Sequence, residues 1–454
     1  MKIKHSRSVQ SHHQIKREIA LITATSIVIA NMIGSGIFTT SGIMAANLPD
    51  PGWVLLCWIF GGFIALAGAL CYAELATRMP EEGGEYVYLK KLYHPILGFL
   101  TGWTSFFVGF SAPIAASAIG FSEYLFAGLK IHWPITALTQ PIFVKKIIAI
   151  GIIISLTVVH YLGIRFGSKV QNSLTALKIL IVLGLASAGL ALGGELPTPN
   201  FSFSTSSFQG MAFGTAMMLV MFSYSGWNAS AYIGGEIKNP RKTIPISLIA
   251  GTTIVMLLYL AINLFIFSSA PYQVLQGKIT VVETAAVHVF GKGFTQLLSL
   301  LISLALLSSL SAFIILGPRV YFAMAHDRLF FHFAAEVHPK FGVPGKAIAI
   351  QGFIATLMVI LGTFEQLLIY LGFALGIFPW LTIAGIFLAR KRRIGESIAV
   401  KIWGYPLVPL FYLVSSLFLL IVAFINRPLE SGIAILTVLA GIPLYFVWVK
   451  KFKG

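Results

Sequence analysis

Two glycine-bearing stretches interrupt otherwise apolar segments of this chain: Asn31-Met32-Ile33-Gly34-Ser35-Gly36-Ile37-Phe38 and Phe222-Ser223-Tyr224-Ser225-Gly226-Trp227-Asn228. A helix in lipid gives up internal hydrogen bonds only where protein or water satisfies the freed backbone groups. Each stretch therefore reads as a backbone break that faces a cavity. A break at Gly34–Gly36 ends one helix and starts another. The new N-terminus presents free N–H groups carrying about half a positive charge, which suit a carboxylate. The old C-terminus presents carbonyls, which suit an ammonium. Glycine is needed because a ligand must approach the backbone closely and the turn needs unusual dihedrals. A zwitterion fits such a break without any charged side chain. We assign its carboxylate to the N–H groups of Ser35, Gly36 and Ile37, with Gly34 leaving room at the backbone. We assign its ammonium to the carbonyls of Met32, Phe222 and Ser225, with Asn31 and Asn228 as hydrogen-bonding neighbours.

A Gly-Ser-Gly alone more often lets membrane helices pack closely. The second break, about 190 residues later, changes that weighting. Paired interrupted helices in the two halves of a chain are the sequence pointer to a secondary transporter's binding site. Little negative charge surrounds these stretches, so a neutral ligand is favoured over a cationic one. Trp227 and Phe222 offer apolar contact, and Gly226 leaves space beside the backbone.

The elements that must position these residues are membrane helices. With 57% hydrophobic residues, 10% charged and a mean hydropathy of +0.87, the 454 residues exclude an ordinary soluble domain. The length allows about twelve spans of ~20–30 residues. Helices are expected over 18–46, 53–79, 96–127, 144–163, 169–193, 210–235, 243–268, 293–325, 346–362, 365–389, 404–425 and 430–449. Residues 1–17 form a polar tail, and Pro197 to Ser207 is a Ser/Thr/Phe-rich external stretch. Val281 to Phe290 has helical periodicity and is expected to lie across the outer face.

The net charge of +17 does not indicate nucleic acid, because no basic domain carries it. With a cytoplasmic N-terminus, most Lys and Arg fall in the tails and inward loops. Outward loops and adjoining helix ends hold Lys130, Lys145, Lys146, Lys278, Lys292 and Arg427. This is the positive-inside bias, and it puts both termini in the cytoplasm. No cleavable signal is expected before the first helix. The two cysteines, Cys57 and Cys71, are about 21 Å apart along one helix, beyond disulfide reach; both read as small apolar fillers. The histidines are scattered, with no metal-ligand spacing, nucleophile elbow or phosphate-binding loop, so no metal or cofactor is expected and an enzyme is disfavoured.

Lys178 is the most informative charged residue. It is expected about ten residues into its helix, roughly 15 Å along the axis, between apolar neighbours. A lysine that deep usually faces the protein interior with a function; snorkelling to the interface is the alternative. Glu74 and Glu236, with Arg78, Lys238 and Arg241 nearby, read as inner-gate or loop-anchoring ion pairs. Glu123 reads as structural. Arg319 follows a Gly317-Pro318 kink, and its partner cannot be read from the sequence.

Four ordered motifs resemble amino acid transporters of the amino acid–polyamine–organocation (APC) superfamily. They are Ile33-Gly34-Ser35-Gly36-Ile37-Phe38; Cys71-Tyr72-Ala73-Glu74-Leu75 with Pro80, Gly83, Gly84 and Tyr86; Phe222-Ser223-Tyr224-Ser225-Gly226-Trp227 with Glu236, Asn239 and Pro240; and Val320 to Asp327 leading to His338-Pro339. The resemblance implies an all-α membrane protein of 12 transmembrane helices with a LeuT-type 5+5 inverted repeat and discontinuous helices 1 and 6. It divides the chain into a tail (1–17), a transporter core (18–390), and helices 11–12 with the C-terminus (391–454). It implies sodium-independent amino acid transport across the plasma membrane, as a proton symporter or an exchanger, with protons as the candidate coupling ion. Phe222 is then a candidate gate. Lys178 stands where sodium-coupled relatives hold a cation between helices 1 and 8, bonding the Gly34 carbonyl and the hydroxyl of Ser308 or Ser309. Loss of its proton would couple transport to pH. Animal relatives that pair with a glycoprotein use a cysteine after helix 3; residues 128–143 contain none, so no disulfide-linked heavy subunit is expected. An amino acid sensor, a channel, or a polyamine or organic cation transporter on the same scaffold are the alternatives.

Overall fold

Proline and glycine set the element boundaries. Pro51, Pro95, Pro141, Pro240 and Pro428 each open a helix, where a missing N–H costs nothing. Gly163, at φ +124°, makes the tight turn between two long helices. The computed structural model describes residues 16–129, 141–192, 210–361, 364–426 and 428–453. The described residues form helices with no named strand, only two isolated bridges. In chain order they are α1 (Leu21–Met32), α2 (Gly36–Ala45), α3 (Pro51–Arg78), α4 (Glu85–Leu92), α5 (Pro95–Thr104), a π-helical stretch (Ser105–Ser111), α6 (Ala112–Leu129), α7 (Pro141–Tyr161), α8 (Ile164–Leu192) and α9 (Gly210–Tyr224). There follow a 3-10 turn (Ala229–Tyr232), α10 (Pro240–Ser269), α11 (Tyr272–Leu275), α12 (Val281–Phe290), α13 (Thr295–His326), α14 (Gly345–Leu361), α15 (Phe364–Lys391), α16 (Leu407–Asn426) and α17 (Pro428–Lys453).

Among the described residues, nine helical stretches are long and apolar enough to cross a membrane. Three shorter apolar helices are α9, α12 and α14. The tail before residue 16, most of the loop after α6 and the stretch 197–207 lie outside the described residues.

Two expectations are corrected. The segment expected as a helix to residue 235 stops at Tyr224. Its second half is a set of turns and one 3-10 turn, because Gly226 takes φ +98° and redirects the chain. The helix expected from residue 169 begins at Ile164, so Lys178 lies roughly 21 Å along it, near its middle.

α1 packs against α8, α10 and α13, and α2 packs against α9. The most apolar stretch of α13 is 72% buried, against 17% for those of α7 and α17, which puts α13 at the centre and the other two at the rim. α16 leans on α3, α9 and α15, while α17 leans on α5 and α15. Cys57 and Cys71 are both free and buried in α3.

Buried ion pairs fasten one end of the bundle. Glu74 accepts from Arg78 on its own helix, from Arg390 on α15 and from the Ile402 N–H. Arg319 forks onto Glu236, at 2.6 and 3.1 Å. Glu236 thus pairs with Arg319 on α13 rather than with Lys238 or Arg241. The chain two residues before α1 is pinned beside it: Ile19 N–H donates to Glu236 O (2.9 Å) and Lys238 N–H to Ile19 O (2.8 Å). Glu123 pairs with Lys145, joining α6 to α7.

Removing one partner of a buried pair leaves an uncompensated charge, at a cost of about 3–5 kcal/mol. Glu236→Gln is therefore expected to lower the thermal unfolding temperature of the detergent-purified protein. The double variant Glu236→Leu with Arg319→Leu is expected to recover most of the loss. Equal melting of wild type and Glu236→Gln contradicts the assignment.

Candidate functional site

The two breaks meet at the centre of the fold. Residues 33–35 lie between α1 and α2, and the break is made at Ile33, which is extended at φ −76° and ψ 91°. Ser35 makes no side-chain cap on α2, and first-turn N–H groups have no partner within a helix. A Cβ built at Gly34 would meet nothing within 4 Å, so this backbone borders open space. A Cβ at Gly36 would fall 2.4 Å from Ser223 Oγ and 3.1 Å from Ser223 Cα, so glycine is what lets α2 touch α9. A Cβ at Gly226 would fall 2.3 Å from Asn31 Nδ2, and Asn31 donates to the Gly226 carbonyl at 3.3 Å. Asn31 Oδ1 is buried without a partner among the described residues. Gly34, Ser35, Ser225 and Gly226 are half-buried between buried neighbours, and Phe222 is half-buried beside them, so they line the opening. The Phe222 side chain packs on a cluster that includes Val108, Leu310 and Ile314.

Tyr259 on α10 braces both breaks. Its hydroxyl lies 2.7 Å from Met32 O and 2.8 Å from Ser223 O. Met32 O, expected to face a ligand ammonium, therefore already has one partner. Phe222 O likewise accepts the Ser225 N–H at 3.1 Å. A carbonyl has two lone pairs, so each retains one.

Lys178 occupies the end of α1. Its ammonium reaches Ile33 O (2.6 Å), Ala30 O (3.2 Å) and Ser309 Oγ (2.7 Å). The carbonyl is that of Ile33, not Gly34, because α1 ends at Met32 and Ile33 is its C-cap. Ser309 passes its own proton to Ile33 O at 2.7 Å. No carboxylate pairs with Lys178 among the described residues. Taking an ion out of water costs several kcal/mol. Charge-assisted hydrogen bonds of about 1.5–3 kcal/mol each offset that, helped by the negative end of the α1 dipole, up to about 2 kcal/mol. Ser308 takes a different role: its hydroxyl lies 3.1 Å from Thr175 Oγ1, and its carbonyl accepts from Gln171 at 3.3 Å. Gln171, Thr175 and Lys178 follow i, i+4, i+7 spacing, one polar stripe on α8 that the sequence displayed and that went unread.

Asn228 and Trp227 point away from the opening. Trp227 is wedged edge-on against Tyr72 (4.9 Å between centroids) and Tyr412 (5.8 Å), so its apolar surface is spent on packing. Asn228 Nδ2 donates to Glu85 Oε1 at 2.7 Å. Glu85, at the start of α4, is 4% exposed and also accepts from Tyr72 OH at 2.7 Å and from Thr101 Oγ1 at 3.4 Å. Among the described residues no cation bonds to it. Burial pushes the Glu85 carboxyl above the ordinary carboxylate range, and the surrounding donors, led by Tyr72 and Tyr232, offset this only partly. Glu85 and Tyr259 were missed from sequence: a lone acid beside two glycines and a tyrosine in an apolar helix carry no distinguishing pattern.

The contrast between the two glycines is testable without any ligand. Gly36→Ala is expected to destabilise by about 1–3 kcal/mol through overpacking, while Gly34→Ala leaves the thermal midpoint unchanged. Equal losses contradict the open space at Gly34.

Comparison with known proteins shows the family of the chain. The family model described as amino acid permease matches residues 19–447. The chain is 33% identical over 442 residues to the serine/threonine exchanger SteT of Bacillus subtilis (strain 168), covering 96% of this chain and 98% of that one. It is 29% identical over 453 residues to the human b(0,+)-type amino acid transporter 1, covering 98% and 91%. It is 28% identical over 442 residues to the mouse Asc-type amino acid transporter 1, covering 96% and 82%. A match over nearly the whole chain, together with nine apolar helical stretches among the described residues that are long enough to cross a membrane, makes this protein a multi-pass membrane transporter of the amino acid permease family.

Proposed function

We propose that the protein is a sodium-independent exchanger of neutral amino acids in the plasma membrane, working by alternating access. The observation that carries this reading is the Lys178 ammonium bound to the Ala30 and Ile33 carbonyls and to Ser309. It supplies a fixed positive charge between α1 and α13, where sodium-coupled transporters resembling this chain hold their cation. Exchange is favoured because a relative covered almost end to end is named a serine/threonine exchanger. A neutral substrate is favoured because no carboxylate among the described residues bonds to Gly34–Ile37 or Phe222–Gly226.

In this reading the substrate carboxylate binds the N–H groups of Ser35, Gly36 and Ile37. The ammonium binds the free lone pairs on Met32 O and Phe222 O and the Ser225 carbonyl. Phe222 closes over the ligand. The described helices are read as twelve spans, with residues 18–390 forming a 5+5 inverted repeat and 391–454 carrying the two outer helices. Both termini, including the tail 1–17, are placed in the cytoplasm by the Lys/Arg bias. With both cysteines inside α3, no disulfide-linked subunit is included, and no enzymatic step is assigned.

Proteoliposomes preloaded with unlabelled L-serine are expected to take up labelled L-serine, equally in sodium and choline buffers. Uptake that needs sodium overturns the reading; uptake into empty vesicles driven by an inward proton gradient replaces exchange with symport. Lys178→Ala is expected to lower exchange by about tenfold or more, the equivalent of about 1.4 kcal/mol, with sodium giving no rescue. Unchanged exchange removes Lys178 from the mechanism.

A further inference from the structure

The carboxyl of Glu85 joins the broken helix to its surroundings through neutral groups alone. Around it the chain forms a clasp. Gly83 N–H donates to Tyr232 O at 2.9 Å. Gly84, at φ +51°, leaves its Cβ position 2.7 Å from the Tyr232 ring, so a side chain there would push that ring out. Glu85 then takes Asn228, which follows directly on the Ser225–Gly226 turn lining the opening. One acid thus bonds the inner part of the second break to α3 through Tyr72 and to α5 through Thr101.

The hydrogen bonds are uneven. Oε1 takes Tyr72 and Asn228, both at 2.7 Å, while the Thr101 hydroxyl lies 3.4 Å from Oε2. Oε2 therefore has room for a proton, and the Tyr232 hydroxyl, which donates to the carboxylate, turns to accept once the carboxyl is protonated. Other titratable groups facing Glu85 are the phenols of Tyr72, Tyr88, Tyr232 and Tyr412. Charged groups on the packed elements are committed elsewhere: Glu74 to Arg78 and Arg390, Asp327 to Lys90, Glu81 to Lys91 and Arg392 to the Leu92 carbonyl. A buried carboxylate without a cation is costly, and a proton on Oε2 removes that cost. Glu82, on the same loop, also titrates high, chiefly through burial and next through Glu236.

Building on the transporter reading, we propose that Glu85 is a proton-binding site of the transport cycle. Its carboxyl holds a proton while Asn228–Tyr232 is docked and releases it to entering water when that segment withdraws. The docked state then binds one more proton than the undocked state. Docking is favoured below the ordinary carboxylate range and weakens as pH rises toward the raised value. Substrate held by the adjacent turn is linked to the same proton.

Infrared spectroscopy of the reconstituted full-length protein reads the proton directly. At neutral pH the wild type is expected to show the carbonyl stretch of a protonated carboxylic acid that Glu85→Gln lacks and Glu82→Gln retains. The Kd for L-serine is expected to weaken with rising pH, by at most about tenfold per pH unit for one linked proton, and to lose that slope in Glu85→Gln. Glu85→Asp, which keeps a titratable group, is expected to keep the slope with a displaced midpoint and serves if the Gln variant does not fold. A wild type without the band, a band that survives Glu85→Gln, or an unchanged slope in Glu85→Gln overturns the proposal. The infrared result does not need a transported substrate, so failure of the amino acid reading and failure of the proton site are told apart.

Discussion

A lysine ammonium seated on the last carbonyls of α1 is the contact on which the arrangement depends. A membrane helix can stop at Met32 only if its terminal carbonyls find donors inside the protein. Lys178 supplies them to Ala30 and Ile33, and Tyr259 supplies one to Met32. The positive charge suits that position because a helix C-terminus carries partial negative charge. With α1 ended in this way, α2 begins afresh at Gly36, and its free N–H groups become available to a ligand.

The second break is held by different means. Tyr259 touches Ser223 O, Gly226 turns the chain, and Asn228 is caught by Glu85. One break therefore rests on a cation without a carboxylate, the other on a carboxyl without a cation. The two ionisable groups belong to separate elements, and the Tyr259 hydroxyl joins the two breaks they support. The Glu236–Arg319 fork and the Ile19–Ile237 pairing fasten the start of α1 to the chain leading into α10.

Much of this was legible in the sequence because lipid leaves few ways to break a helix. Gly34-Ser35-Gly36 and Ser225-Gly226 stood out as residues that apolar spans do not need. Lys178 stood out because a deep lysine is costly. The details depended on backbone register, which hydropathy does not carry. The α8 start at Ile164 moved Lys178 deeper, and the α1 end at Met32 gave it Ile33 rather than Gly34. The sequence also overstated the second half of the later break, because Gly226 at positive φ sends the chain into turns instead of a new helix. Trp227 looked like a ligand contact and proved to be packing against Tyr72 and Tyr412. Tyr259 was invisible, since nothing in an apolar run marks which tyrosine faces two broken backbones.

The central claim is that Lys178 physically couples the end of α1 to α13. Paired spin labels at Ile22 and Arg328, both exposed, report the separation of these elements in lipid nanodiscs by double electron–electron resonance. Lys178→Met keeps the volume and removes the ammonium. The account predicts a single narrow distance in the wild type and a broadened or lengthened distribution in Lys178→Met, as α1 loses its terminal donor. Superimposable distributions would show that α1 keeps its place without the ammonium and contradict the account.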